Sequence, residues 1–527
     1  MTAKLIKQLV FMSGIFICML DTTVMNVALP TIATSLHVEL NTLSWALNIY
    51  TILFAALTIP LTKLGEVVGE ERLYGLGIVT FGIGSLLSGC ASTTGFLIAS
   101  RAVQSIGAAV VFPLSMTLGI KSVGNGDRTK IIAALGVTQG LAAAIGPVIG
   151  GVITNYWSWR WIFWINLPIV AMMLVVCAWN LRQQQPRDRH SVVQIDWLGA
   201  LLIMIGILSF TTALVNGRDW GWWSATTLTL LVSSLVAGLL LIGVEKWVAA
   251  DPIIPLALFQ KQQFRGAAVV LILSNLLLVA VTVILPTYYV SLEHYSSLKA
   301  SLLLLPITLM IFISAPVAGL LLKRIGARWL VTIGFFLIFV SYLGFATHAL
   351  QQLSGAILAG MFLGTGFGLI TGPITIIAAA DFQGKLLNAS QSVAGVLRQV
   401  GVVLAVAIFV TALHTNLLQA QQKSIMDANR RIERLQFPIS VTHVIERQIQ
   451  QAIRHQQPSL TARSVPDPRL QHQIGLIKKE TKANFVSAFQ RLYQRTLPVS
   501  GLAILTGFLF KRSQVRKKFF FSRQRRL

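Results

Sequence analysis

Apolar stretches about 20 residues long, the length a helix needs to cross a bilayer core, recur along almost the whole chain; only the last is short, as a thin span or the end of a longer helix that enters the membrane late would be. They fall at roughly 8–30, 43–63, 73–93, 96–120, 130–154, 160–181, 197–216 and 223–245, then at roughly 266–290, 299–322, 329–348, 353–380, 388–413 and 496–510. That makes about fourteen spans and an all-α polytopic membrane protein. Composition agrees where it can decide: only 12% of residues are charged, against about 25% in a soluble domain, and mean hydropathy is +0.71. A net charge of +25 would suit a nucleic-acid binder, but the lysines and arginines lie between apolar runs or in the segment Lys511 to Leu527. The charge therefore reads as membrane topology, with the lipid bilayer as partner and no nucleic acid.

Orientation follows from the short loops. Lys4, Lys7, Lys63, Arg72, Lys121, Arg128, Lys130, Arg182, Arg187, Arg189, Lys246, Lys261, Arg265, Lys323, Arg324, Arg328 and Lys385 all fall on one side, while the opposite short loops hold little beyond Arg160, Arg218 and Lys299. This predicts both termini in the cytoplasm of a plasma-membrane protein. Trp157, Trp159, Trp161 and Trp164, and later Trp220, Trp222 and Trp223, form an aromatic belt at the outer ends of the spans. The first span is not read as a cleaved signal, because its removal would leave an odd number of spans and move the basic tail outside. Cys18, Cys90 and Cys177 all fall within predicted spans, so no disulfide framework or zinc cluster can be drawn.

Asp21 stands in the first apolar run, Leu20-Asp21-Thr22-Thr23-Val24-Met25-Asn26. A carboxylate at bilayer depth costs at least ~2.5–3.5 kcal/mol and normally faces a bundle interior or a wet cavity with a partner. A working ionisable group is one reading; a structural acid satisfied by hydrogen bonds is the other. No phosphate-cradling G-x-x-x-x-G-K-[ST] loop, H-E-x-x-H motif or cysteine pair occurs. No cofactor, metal or enzymatic site is expected, and any transport must draw on a gradient.

Four motifs in order then resemble the major facilitator superfamily, and within it the fourteen-helix drug/proton antiporter branch of the EmrB/QacA type. They are Leu20 to Pro30 in the first span, Arg101-Ala102-Val103-Gln104-Ser105-Ile106-Gly107 in the fourth, Gly146-Pro147-Val148-Ile149-Gly150-Gly151 in the fifth, and Trp159-Arg160-Trp161 to Asn166-Leu167-Pro168 before the sixth. The resemblance covers nearly the whole chain and implies two six-helix bundles with two inserted helices between them.

Depth supports the roles it suggests. Asp21 lies ~20 Å up its helix from Gln8, and Arg101 lies ~8 Å down from Phe96, at a similar level. Nearby positive charge favours the ionised acid and desolvation the neutral one, so water entry can retune the pair. A fixed pairing of Arg101 with backbone or Gln104 is the alternative. In the fifth span Gly136, Gly140, Ala143, Pro147 and Gly150 recur at helical spacing with Gly146 and Gly151 beside them. The family assigns this antiporter motif to sealing the two bundles; ordinary close packing would satisfy it equally.

The loop after the second span departs from the family pattern, with Thr62, Glu66, Gly69, Glu70, Glu71 and Arg72. A degenerate copy ends in Lys323, Arg324 and Arg328, so exchanged charges predict Glu70 or Glu71 paired with these cations across an inner gate. Solvated loop charges are the alternative. Arg398 is a second deep charge without an acid in its own half, and is a candidate either to hold backbone carbonyls at a helix break or, as a cavity residue, to meet an anionic group on a substrate. Asn26, Asn48, Gln104 and Gln139, with Met25, Tyr50 and Phe112, are candidates to line an amphipathic cavity.

The organisation expected is a bundle over 1–182, a linker with two inserted helices over 183–265, five helices over 266–413, a polar extracytoplasmic segment over 414–495, and a last span with a basic tail over 496–527. Ile474, Ile477, Phe485, Val486, Phe489 and Tyr493 predict an amphipathic helix leading into that last span, within a helical hairpin or a partly ordered linker. The function expected is gradient-driven export of small amphipathic toxic compounds in exchange for protons. Export of an endogenous lipid, peptide or metabolite, or a non-transporting scaffold or sensor, stays open. Oligomeric state is not legible, and a monomer suffices.

Overall fold

A backbone crossing lipid must satisfy its own N–H and C=O groups, and helices do so within one segment. In the computed structural model, which describes residues 2–38, 40–123, 128–182, 196–247, 252–433, 439–454 and 468–511, the regular elements are accordingly helical. The first half comprises α1 (Thr2–Leu36), α2 (Leu40–Val68), α3 (Glu70–Gly89), α4 (Thr94–Lys121), α5 (Arg128–Tyr156), the single turn α6 (Trp161–Trp164) and α7 (Asn166–Arg182). A hairpin of α8 (Trp197–Trp220) and α9 (Ala225–Trp247) follows, and α8 lies along α2. The second half runs through α10 (Ala257–Gln260), α11 (Gln262–Ser291), α12 (Ser297–Leu302), α13 (Leu305–Ile325), α14 (Ala327–Ala346), α15 (Leu353–Ala380) and α16 (Gly384–Ala405). Last come α17 (Thr411–Glu433), α18 (Ile439–Arg454) and α19 (Pro468–Ile504).

Among the described residues, twelve helices are long and apolar enough to cross a membrane by length and composition alone. Two of the fourteen expected spans fall short of that measure. In α3, Glu70, Glu71, Arg72 and five glycines dilute the apolar residues; in α19, the apolar part is only the end of a polar helix. Both nevertheless pack into the bundle, α3 on α4 and α7, and α19 on α14. The two halves meet along α5 with α13 and α15, and along α16 with α2 and α4.

Beyond the bundle the helices outlast the spans. A five-residue π turn over Val406–Val410 joins α16 to α17, so Gly384–Glu433 is one rod of 50 residues with no break where the sequence turns polar. At 1.5 Å per residue that is ~75 Å, well over twice a hydrocarbon core. Next to it, α19 runs back alongside α17, and α18 also packs on α17. Ile432, Ile445, Ile449, Ile453, Ile474, Ile477 and Phe485 form their common core. The sequence reading anticipated the amphipathic start of α19 but not α18, whose apolar face is carried by Ile445, Ile449 and Ile453 at four-residue spacing. The basic residues beyond Lys511, together with Arg187 and Arg189, lie outside the described residues.

Candidate functional site

Arg101 and Gln104 are three residues apart on α4 and so project from one helix face. That face is driven against its neighbours by glycine. A Cβ at Gly84 would collide with the backbone of Gln104, and one at Gly107 with the backbone of Phe81, so α3 and α4 approach as only glycine allows. Thr93 caps the start of α4, its hydroxyl accepting from the Phe96 amide at 3.3 Å.

Asp21 arrives from α1 at the same level, 3% exposed. Its Oδ2 accepts from Arg101 Nη1 at 2.5 Å and its Oδ1 from Gln104 Nε2 at 2.8 Å. Arg101 Nη1 also donates to Gln104 Oε1 at 2.7 Å, and its Nε reaches the Ala46 carbonyl of α2 at 3.4 Å. The remaining nitrogen, Nη2, is buried without a hydrogen-bond partner, and the guanidinium carbon sits 4.1 Å from the centre of the Tyr50 ring. A cation over an aromatic face recovers part of that lost solvation. The result is a buried charge pair whose polar atoms are drawn from three helices.

Asn166 belongs to this cluster and was not anticipated as a site residue. Its Nδ2 lies 3.5 Å from Asp21 Oδ1 and donates to Ser85 Oγ at 3.1 Å, while Ser85 donates to the Phe163 carbonyl at 2.8 Å. The available signal was an asparagine at the start of a span. What hid it is the break between α6 and α7, which carries Asn166 to the level of Asp21.

The expected cavity residues separate into groups. Met25, Tyr50 and Phe112 are buried, Gln104 is engaged with Asp21, and Asn48 is half-buried. The side chain of Asn26 lies outside the described residues. Gln139 of α5 and Arg398 of α16 meet between the halves: with its amide oxygen turned toward the guanidinium donors, Gln139 accepts from Nη1 at 3.0 Å and Nε at 3.2 Å. Rings connect the two buried arginines. Tyr50 stacks on Phe54 at 6.2 Å, Phe54 meets Phe112 edge-on at 5.8 Å, and Arg398 stands 5.7 Å from the Phe112 centroid.

The small-residue stripe of α5 faces two ways. Cβ atoms at Gly146 and Gly150 would strike Thr23 and Val24 of α1, within the same half and next to Asp21 in sequence. Gly136 instead faces Thr375 of α15, Gly140 faces Ile311 of α13, and Gly151 faces Ser301 of α12. The contact between halves therefore falls to Gly136, Gly140 and Gly151, whereas Gly146 and Gly150 let α1 approach; Pro147, between them, sits inside the helix.

Of the two acids expected to pair across the gate with Lys323, Arg324 or Arg328, Glu70 does not do so. Glu70 is held by Lys121 Nζ at 2.6 Å and by Asn388 Nδ2 at 2.7 Å. Lys323 and Arg324 are exposed, and Arg328 stacks on Phe508 at 4.2 Å. The physical reason is proximity: α16 packs on α2 and α4, so its first turn brings Asn388, rather than the end of α13, to Glu70. Glu66 is paired with Lys63 one turn earlier on α2, at 3.1 Å. Gly69 makes the turn into α3 with φ of 102°, a left-handed conformation that suits glycine, and Arg72 beyond it is exposed.

The sequence profile of the Major Facilitator Superfamily matches residues 11–406. Over 379 residues the chain is 29% identical to the protein described as "Probable multidrug resistance protein EmrY" of Escherichia coli (strain K12), covering 71% of this chain and 73% of that one. Over 328 residues it is 30% identical to the multidrug export protein EmrB of the same organism, covering 62% and 64%. Its structure superposes on that of the human organic anion transporter MFSD10 (TETRAN) with a TM-score of 0.55 and 13% identity, covering 96% and 99%; at that identity the likeness speaks for the fold alone.

Proposed function

The chain belongs to the major facilitator superfamily, a family of membrane transporters rather than enzymes, and from that premise we propose that it exports amphipathic drugs or toxic compounds in exchange for protons bound at Asp21. The similarity to EmrB and EmrY supports the export of drugs. The observation that carries the proton site is the charge pair itself: Asp21 and Arg101 are 3% and 0% exposed, inside a bundle of helices long and apolar enough to cross a membrane.

Protonation from the outer side removes the charge that Arg101 pairs with, leaving a buried cation that must turn to Gln104 or the Ala46 carbonyl. The arrangement of α1 against α4 stable with a charged Asp21 is therefore not the one stable with a neutral Asp21. Return of the neutral form to the inward state, and displacement of the proton by arriving substrate, complete an alternating-access cycle. In this reading both termini lie in the cytoplasm, α17, α18 and the start of α19 outside, and α8 and α9 are the inserted pair.

The test is a panel of dyes and antibiotics applied to a pump-deficient host expressing the chain. Lowered susceptibility to at least one amphipathic compound, abolished by a protonophore, is expected; unchanged susceptibility across the panel with the protein inserted in the membrane would contradict the export reading.

A further inference from the structure

Among the described residues, the two buried arginines of the bundle are matched unequally. Arg101 has an acidic side chain, that of Asp21, as partner at 2.5 Å. Arg398 is 9% exposed, and no carboxylate among the described residues stands within ion-pair distance of it. Its hydrogen-bond partner is a neutral amide, that of Gln139, and its flank is the ring of Phe112. An amide and a ring face return only part of the solvation a guanidinium loses at bilayer depth, so the site retains unmet demand for negative charge.

Its position matches that demand to a ligand. Arg398 lies on α16 and its amide partner on α5, so the guanidinium sits where the halves meet and must separate in alternating access. Gly395, one turn earlier, leaves α16 without a side chain facing Phe112 and Thr58, where a Cβ would lie 3.8 and 3.9 Å away. Phe112, Phe54 and Tyr50, buried against one another here, form a line of rings from Arg398 toward the Asp21 cluster, with Phe112 at the Arg398 end. A cation with a weak neutral partner beside an aromatic ladder suits one chemical class: an aromatic body bearing an anionic group.

Resting on the export reading above, we infer that the exported compounds are amphipathic organic anions whose negative group displaces the Gln139 amide from Arg398 while the ring system lies against Phe112. The charge balance has a consequence. Exchange of a monovalent anion outward for a proton inward moves two charges in the same electrical sense, so an inside-negative potential accelerates it; exchange of a monovalent cation for a proton moves none.

The experiment uses the purified full chain in proteoliposomes with two probes on one xanthene frame: fluorescein, an aromatic carboxylate, and the methyl ester of rhodamine, a cation. Wild type should bind fluorescein and carry it faster under a potassium-diffusion potential. Arg398→Gln should weaken fluorescein binding about tenfold or more, the scale of a lost charge-assisted hydrogen bond, with Arg398→Lys intermediate and the cation unaffected. Gln139→Ala, which keeps the cation and removes its competitor, should tighten fluorescein binding and serves if Arg398→Gln does not fold. Equal fluorescein affinity in wild type, Arg398→Gln and Gln139→Ala would overturn the inference, as would transport of the cation alone or fluorescein flux indifferent to potential. Asp21→Asn separates the two claims: uphill flux surviving in it removes the proton site while Arg398-dependent selection of the anion stands.

Discussion

Arg101 on α4 donates to the carboxylate of Asp21 on α1 across 2.5 Å, with both side chains sealed from solvent. Neither charge can be removed alone without stranding the other in a low-dielectric interior, which costs on the order of 3–5 kcal/mol. Arg101→Ala is therefore expected to lower the melting temperature of the purified protein markedly and to stop transport. Asp21→Asn combined with Arg101→Gln should recover most of the stability and none of the transport. A stable, active Arg101→Ala protein would show that the pair is neither structural nor functional.

The two faces of the α5 stripe make separable predictions. Gly146→Ala places a methyl into Thr23 of α1 and should cost about 1–3 kcal/mol, the usual range for overpacking, as well as activity. At Gly136 a Cβ finds Thr375 at 3.7 Å, ordinary contact, so Gly136→Ala should keep wild-type stability. Thermal unfolding of the two variants in the same detergent checks this; equal losses would mean that the two faces are not distinct.

At the end of the bundle where α3 begins, Glu70 ties Asn388 of the second half to Lys121 of the first. A hydrogen bond to a charged group contributes about 1.5–3 kcal/mol, so Asn388→Ala should shift the balance of closed and open forms by roughly ten- to a hundredfold. A thiol introduced at Gly395 should react faster with a maleimide in Asn388→Ala than in the parent. Unchanged reactivity would remove the latch role.

The helices beyond the bundle carry their own core and share no residue with the Asp21 cluster, so they are expected to tune exit without supplying the proton site. In a cysteine-free background, Gly475→Cys adds a side chain into open space and should be labelled by an impermeant maleimide in intact cells. Labelling only after permeabilisation would reverse the topology. Arg431 on α17 holds Glu480 on α19 below the usual carboxylate range. That pairing therefore helps join α17 to α19 at neutral pH and fades as pH falls below the ordinary glutamate value of about 4.3. Glu480→Gln should flatten the acid limb of thermal stability for this segment; an unchanged limb would mean that the pair contributes nothing there.

Which parts of this were legible in the sequence follows from the range of the forces involved. Twelve span positions were readable because about twenty apolar residues in a row admit one structure in lipid, whereas α3 and α19 are less apolar than that. The match of Asp21 with Arg101 was readable because helical rise converts sequence distance into depth. Where the sequence turns polar after Leu413, however, the helix does not end, since Gln, Lys and Ala continue it as well as apolar residues do. The reach of Asn166 to Asp21, the partner of Glu70 and the division of the α5 glycines between α1 and the second half all depend on which helix lies next to which. Periodicity names a face but not its neighbour.

The most direct measurement is uphill efflux from proteoliposomes under an imposed pH gradient, comparing wild type with Asp21→Asn at equal insertion. The account predicts that Asp21→Asn still binds the dye and exchanges it down its gradient, while proton-driven accumulation falls to the level of empty liposomes. Undiminished uphill transport by Asp21→Asn would contradict it.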